Sequence, residues 1–215
     1  MLTDIYIALG LLAAYFIGSI PTAVWYSKLF HGFDVRDHGS GNSGATNTFR
    51  ILGTKAGIIV MAIDILKGYF ATQSAELLVD FGWSVPERMI IFKLLYGIAA
   101  VIGHVFPVYA KFKGGKGVAT LLGMVFAIHA PAAFVCIVVF LIVFLLSKYV
   151  SLGSLMAAIS FPLLMFLPYF NPGEPIVIVF AFAMCSIVFL THQKNIRRLI
   201  NGEENKMNLR VGSRK

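Results

Sequence analysis

Residues 117–146 contain no Asp, Glu, Lys or Arg, and that run limits the chain more than any other feature. As one helix at 1.5 Å per residue it would extend roughly 45 Å, against a hydrocarbon core of about 30 Å. A turn at His129-Ala130-Pro131 resolves the mismatch by giving two shorter spans. The rest of the chain is of the same kind. Hydrophobic residues make up 58% of the 215 residues and charged ones 13%, whereas a soluble domain carries roughly 45–50% and about 25%. The expected fold is therefore all-α: one polytopic integral membrane domain over residues 1–215.

Further apolar runs cover residues 5–30, 56–78, 88–109, 152–167 and 176–190, and with the two halves of 117–146 they make seven transmembrane helices. The start, Met1-Leu2-Thr3-Asp4, is acidic and lacks a positive n-region, so the first run is read as a retained span. Gly18-Ser19-Ile20-Pro21-Thr22 falls inside it, and Pro21 predicts a kink. Asp64 and Lys67, three residues apart, share a face of the second span. They are either a structural ion pair or a pair lining a site. His104, in Gly103-His104-Val105-Phe106-Pro107, reads as a satisfied histidine at a helix end. Seven spans put Lys28, Arg36, Arg50, Lys55, Lys111, Lys113, Lys116, Lys148 and the seven basic residues of the tail on one side. Asp4, Asp80, Glu87 and Glu174 fall on the other, with Arg88 as the main exception. The positive-inside rule then places the N-terminus outside and the C-terminus in the cytoplasm. The net charge of +8 is thus a topology signal, and nucleic-acid binding is a poor reading because no basic soluble face exists. Cys136 and Cys185 lie in apolar segments without ligand spacing and read as small hydrophobes.

Three polar segments interrupt this oily chain, all on the cytoplasmic side. The first is His38-Gly39-Ser40-Gly41-Asn42-Ser43-Gly44-Ala45-Thr46-Asn47-Thr48-Phe49-Arg50. Its glycines let the backbone approach a ligand, its N–H groups can form an anion nest, and Arg50 adds a planar cation. It formally contains G-x-G-x-x-G, but no strand precedes it, so a dinucleotide fold is rejected. The second is Lys111-Phe112-Lys113-Gly114-Gly115-Lys116-Gly117-Val118-Ala119-Thr120. Lys116 is followed by Gly117, not Ser or Thr, which excludes a Walker A loop. A glycine-rich helix N-terminus with a lysine still suits an anion. The third runs from His192 through Asn195 to Glu204. Together Ser40, Asn42, Thr46, Asn47, Arg50, Lys116, His192 and Asn195, with two nests of N–H groups, can hold more than one phosphate. No metal cage is evident, and no cofactor is implied. A transporter of phosphorylated metabolites would use similar helix ends, but the motifs cluster on one face and no inverted repeat is visible. A metal-dependent phosphatase or head-group transferase would show clustered carboxylates, which are missing.

Gly39-Ser40-Gly41-Asn42-x-Gly44-Ala45-Thr46-Asn47, Lys113-Gly114-Gly115-Lys116-Gly117-Val118-Ala119-Thr120 and His192-x-x-Asn195-Ile196-x-Arg198-Leu199-x-x-Gly202-x-Glu204 resemble the three motifs of the bacterial acyl-phosphate:glycerol-3-phosphate acyltransferases, the PlsY family. Gly18-Ser19-Ile20-Pro21 and Asp64-x-x-Lys67-Gly68 are also similar to that family. The likeness covers the whole chain, in the family's order. It implies an enzyme of the bacterial plasma (inner) membrane that acylates the sn-1 hydroxyl of glycerol 3-phosphate with a fatty acyl phosphate. The products would be 1-acylglycerol 3-phosphate (lysophosphatidate) and phosphate, at the first acylation of phospholipid synthesis. Its partners are glycerol 3-phosphate, fatty acyl phosphate and membrane lipid. The resemblance implies that Ser40, Arg50, Lys116, His192 and Asn195 hold the reacting head groups. Gly41, Asn42, Gly44, Thr46, Asn47, Gly114, Gly115, Gly117 and Glu204 would bind substrate or support those that do. An acyl phosphate is already activated, so positioning and charge stabilisation suffice. None of the five histidines is followed by Asp five residues later, which argues against the class that uses acyl-CoA.

Overall fold

The structure is a computed structural model that describes residues 2–171 and 173–207. Met1, Pro172 and the end of the basic tail past Met207 lie outside the described residues. Among the described residues the chain is helical throughout, with no strand. Its helices are α1 (Leu2–Gly18), α2 (Thr22–His31), α3 (Ala45–Leu52), α4 (Thr54–Gln73), α5 (Leu77–Asp80), α6 (Met89–Val105), α7 (Val118–Ser147), α8 (Val150–Leu164), α9 (Pro175–Thr191) and α10 (Gln193–Ile200).

The burial pattern is that of a bilayer protein. Apolar side chains crowd the outside, with Leu146, Leu190 and Phe182 exposed, while Asp64, Lys67, His104, His192 and Asn195 are buried. In lipid a polar group must find its partner inside the bundle, so polarity turns inward. Three stretches are long and apolar enough to cross a membrane: Thr54–Asp80, Pro86–Ala110 and Val118–Ser147. Two more qualify if each bent pair is one span. These are α1 with α2, bent by 42°, and α9 with α10, bent by 65°; α8 is apolar but shorter.

The bends have local causes. Pro21 has no N–H to give, and the chain between α1 and α2 uses short turns instead, Ile20 N to Ile17 O and Thr22 N to Ile20 O. Within α7, His129 leaves the helical region at φ −150° and ψ 78°, in the turn expected at 129–131. Its Nδ1 accepts the N–H of Ala132 at 3.2 Å and so caps the second arm. Phe126 and Phe134 then meet edge to face at 5.0 Å, although an unbroken helix would hold residues eight apart about 12 Å apart along its axis.

Close helix crossings depend on residues without a side chain. A Cβ at Gly18 would lie 2.0 Å from Ala100 O, and one at Gly103 would lie 2.3 Å from Tyr15 O, so α1 and α6 touch backbone to backbone. The same holds for α4 and α7, where Gly68 faces Thr120 O and Gly123 faces Ile65 O. Ala14, Ala71, Phe92, Tyr96 and Ala100 pack where α1, α4 and α6 meet, and a second core of Met124, Cys136, Phe161, Met165, Phe180 and Met184 joins α7 to α8 and α9. The α4–α7 crossing begins at Thr120, in the first turn of α7 just after the second glycine loop.

Gly123→Val should therefore force α4 and α7 apart. Overpacking of this kind costs about 1–3 kcal/mol, and more where the obstacle is backbone. A clear fall in the melting temperature in detergent is expected. Gly82→Asn is the control, because Gly82 has φ +69° and open space around it, a conformation Asn tolerates.

Candidate anion and acyl-transfer site

The first loop is wound around one side chain. Asn47, in the first turn of α3, is 1% exposed. Its Nδ2 donates to Val35 O at 2.9 Å and His38 O at 3.1 Å, and its Oδ1 accepts Ser40 N at 2.9 Å and Ser40 Oγ at 3.1 Å. Gly39 (φ +63°) turns the chain so tightly that a Cβ there would lie 2.5 Å from Asn47 Oδ1. Asn47 thus shapes the loop from within. Gly44 caps α3 without a side-chain acceptor, so the N–H groups of the first turn, including that of Thr46, have no partner within the helix. Asn42 and Thr46 are half-buried at this turn, and Arg50 is exposed in the last turn of α3.

Arg36 fastens this loop to the second one. Its Nε and Nη2 donate to Asp34 at 3.0 and 2.7 Å, and its Nη1 donates to Ala110 O at 3.0 Å. The bonded guanidinium holds the Asp34 carboxyl well below the usual carboxylate range. Between the two loops lies a cavity of about 370 Å³ lined by Arg36, Asp37, Gly41, Lys111, Lys113 and Gly114.

In the second loop the glycines divide their work. Gly114 N donates to Val105 O at 3.2 Å and Gly115 N to His104 O at 3.1 Å, so these two N–H groups are used to fold the loop onto the end of α6. Gly117 (φ +81°) caps α7 without a side-chain acceptor, which leaves the N–H groups of the first turn of α7 open. Lys116 points across to the third segment, where its Nζ donates to Asn195 Oδ1. Burial pushes the Lys116 ammonium down to about 8; Glu204 opposes that shift, while Arg198 and Arg50 add to it.

The third segment is organised by Glu204. Its Oε1 accepts Asn195 Nδ2 at 2.7 Å and Ser151 Oγ at 2.9 Å, and its Oε2 accepts Arg198 Nε at 2.6 Å. Burial raises this carboxyl, but the bonds from Arg198, Asn195 and Ser151 outweigh it and the group is lowered overall. His192, 3% exposed, caps α10. Its Nδ1 lies 2.8 Å from Val188 O. A carbonyl only accepts, so Nδ1 carries the proton and Nε2 is left free to accept or, in the cation, to donate.

Lys116, His192, Asn195 and Glu204 thus form one cluster, and Arg50 lies close enough for its charge to act on Lys116. Ser40, Asn42 and Thr46 make no hydrogen bond to Lys116 or to residues 192–204 among the described residues. They stand on their own loop, which Arg36 ties to the start of the second glycine loop. Ser151 escaped the sequence reading, although its position just after Lys148, at the start of a span on the same face, was a usable signal. Among the described residues no group of three or more His, Cys, Asp or Glu is placed to hold a metal ion.

Known proteins resemble this chain over most of its length. Residues 8–202 match the family model described as glycerol-3-phosphate acyltransferase. A glycerol-3-phosphate acyltransferase of Bacillus velezensis is 47% identical over 202 residues, covering 94% of this chain and 97% of the relative. One from Salinibacter ruber is 41% identical over 207 residues, covering 92% and 90%. The fold superposes on the crystal structure of PlsY (YgiH), an integral membrane glycerol 3-phosphate acyltransferase, in its glycerol 3-phosphate form. That match has a TM-score of 0.83 and 38% identity, and it covers 94% of this chain and 96% of that one. The lysophosphatidic acid form gives 0.81 and 36% identity, with 95% and 96% coverage.

Lys116 sets a pH dependence that can be read with sulfate, an anion of constant charge. Above pH about 8 the ammonium loses its proton. Sulfate affinity, followed by thermal shift or calorimetry, should fall as pH rises through that value. In Lys116→Arg the fall should disappear, because a guanidinium stays charged.

Proposed function

The chain belongs to the glycerol-3-phosphate acyltransferase family, and we propose that it transfers a fatty acyl group from an acyl phosphate to the sn-1 hydroxyl of glycerol 3-phosphate. The sn-1 oxygen attacks the acyl carbonyl, the bond from that carbon to the phosphate oxygen breaks, and lysophosphatidate and inorganic phosphate leave. The hydroxyl proton passes to a phosphate oxygen of the donor. The observation that carries this reading is the Lys116–Asn195–Glu204 cluster beside the open N-terminus of α7. It supplies cations and N–H donors for phosphates, and its one carboxylate is already bonded to three donors. A site of that composition suits a donor whose leaving group is good and two substrates that each bear a phosphate.

In this reading Lys116, Arg50, His192 and Asn195 hold the head groups, with Ser40 at the edge of the first loop. The open N–H groups of α3 and α7 receive phosphate oxygens. Asn47 and Glu204 hold the loops in place. We further propose seven spans: α1 with α2, α4, α6, the two arms of α7, α8, and α9. The N-terminus then lies outside and the site opens at the cytoplasmic face of a bacterial plasma membrane. The distribution of lysine and arginine supports that orientation.

The test is direct. Purified protein in mild detergent is given glycerol 3-phosphate with palmitoyl phosphate, and in parallel with palmitoyl-CoA. Lysophosphatidate and phosphate should form with the acyl phosphate alone. Turnover only with the CoA ester would overturn the proposed donor. Lys116→Ala and Arg50→Ala should each lower kcat/KM by about 100-fold or more, the usual effect of removing a group that stabilises developing charge, with the melting temperature kept.

A further inference from the structure

A buried charged cluster lies under the second glycine loop, outside the residues assigned above. Asp64 and Lys67 on α4 form an ion pair with Nζ to Oδ1 at 2.8 Å, both side chains almost fully buried. Thr22 Oγ1, at the start of α2, donates to Asp64 Oδ1 at 2.9 Å. Lys67 Nζ also donates to Ile20 O, in the break before Pro21, at 2.9 Å. His104, in the last turn of α6, brings its Nδ1 to 3.7 Å from Asp64 Oδ1. That is too long for a hydrogen bond, so the carboxylate and the ring meet as packed neighbours in the buried cluster. The other edge of the imidazole lies against Gly115, where a Cβ would be 2.2 Å from His104 Nε2. His104 O accepts Gly115 N, and the next residue is Lys116, bonded to Asn195.

We propose that Asp64, Lys67 and His104 are positioning residues for acyl transfer: a buried brace that sets the height of the Gly114–Gly115 turn and so places Lys116. The inference rests on the assignment of Lys116 to the phosphate site. Stability alone does not account for the brace. A buried ion pair replaced by neutral side chains of similar volume often leaves a protein equally stable or more so. What the pair supplies is geometry. It ties three separate stretches, residues 20–22, α4 and the end of α6, to one point beneath the loop. A displacement of about 1 Å at a reacting group can cost about 100-fold in rate.

Two experiments on the purified full-length enzyme test this, each reading melting temperature and the separate kcat and KM for glycerol 3-phosphate. The first is the neutral pair Asp64→Asn with Lys67→Met. The expected result is a melting temperature close to the parent's and kcat/KM lower by at least about tenfold. A brace that only stabilised the fold would shift the melting temperature and leave kcat/KM unchanged, and parental kcat/KM overturns the proposal. The second is a cycle on the ring–glycine contact, which decides alone if the neutral pair does not fold. Gly115→Ala should lose at least about tenfold in kcat/KM. Adding His104→Ala clears the space the new methyl needs, so the double variant should be no worse than His104→Ala by itself. Losses that multiply overturn the proposal. Lys116→Ala, run alongside, separates the two levels: turnover retained there removes the site assignment itself. A dead Lys116→Ala beside brace variants of parental kinetics removes only the brace.

Discussion

A charge taken into the membrane interior must be matched there, and the matching of Asp64 with Lys67 is the contact at which three separate stretches of this structure meet. The pair sits at 2.8 Å, and each partner has a second duty. Lys67 satisfies the carbonyl of Ile20 and Asp64 accepts the hydroxyl of Thr22. The broken first span is therefore not merely tolerated. The carbonyl of Ile20 in the break and the hydroxyl of Thr22 just past it both bond to the pair on α4, and α4 is held against α7 by Gly68 and Gly123 at backbone contact. Helix break, ion pair and close crossing are one arrangement seen from three elements.

The same economy governs the site. In soluble proteins Asn, Ser and Thr near a helix start usually cap it through their own oxygens. Here α3 and α7 are capped by glycine and carry no side-chain acceptor. Asn47, which has the chemistry to be a cap or a ligand, is turned inward to hold Ser40, Val35 and His38. Asn47 and Ser40 thus build the shape of the first loop, and in the proposed reading the backbone N–H groups are left to meet the anion. Open N–H groups in rigid positions need no reorganisation when charge arrives, which is what charge stabilisation during acyl transfer requires.

Much of this was legible in the chain itself. Hydropathy located the apolar helices, Pro21 marked the first bend, and length against bilayer thickness required the break that His129 makes in α7. The three polar motifs and Lys116 stood out because they interrupt an oily sequence. What stayed hidden shares one cause, that the partner of a polar group is settled by tertiary contacts. Asp64 and Lys67 were visible as neighbours on a face, but Thr22, Ile20 and His104 come from distant segments. The glycines of the second loop read as one nest, yet Gly114 and Gly115 give their N–H groups to the end of α6. Ser151 carries no motif of its own and joins the site only because α8 starts beside Glu204.

Glu204 explains how so cationic a site stays poised. Lys116 is buried beside Arg50 and Arg198, and burial and like charge both push its proton off. The charge of Glu204 works in the opposite direction, and Asn195 stands between the two groups, its amide accepting from Lys116 and donating to the carboxylate. The intervening amide matters. A carboxylate in direct contact would neutralise the lysine and occupy its donors. Held by Asn195, Arg198 and Ser151, the Glu204 carboxylate opposes the loss of the Lys116 proton without bonding to the ammonium.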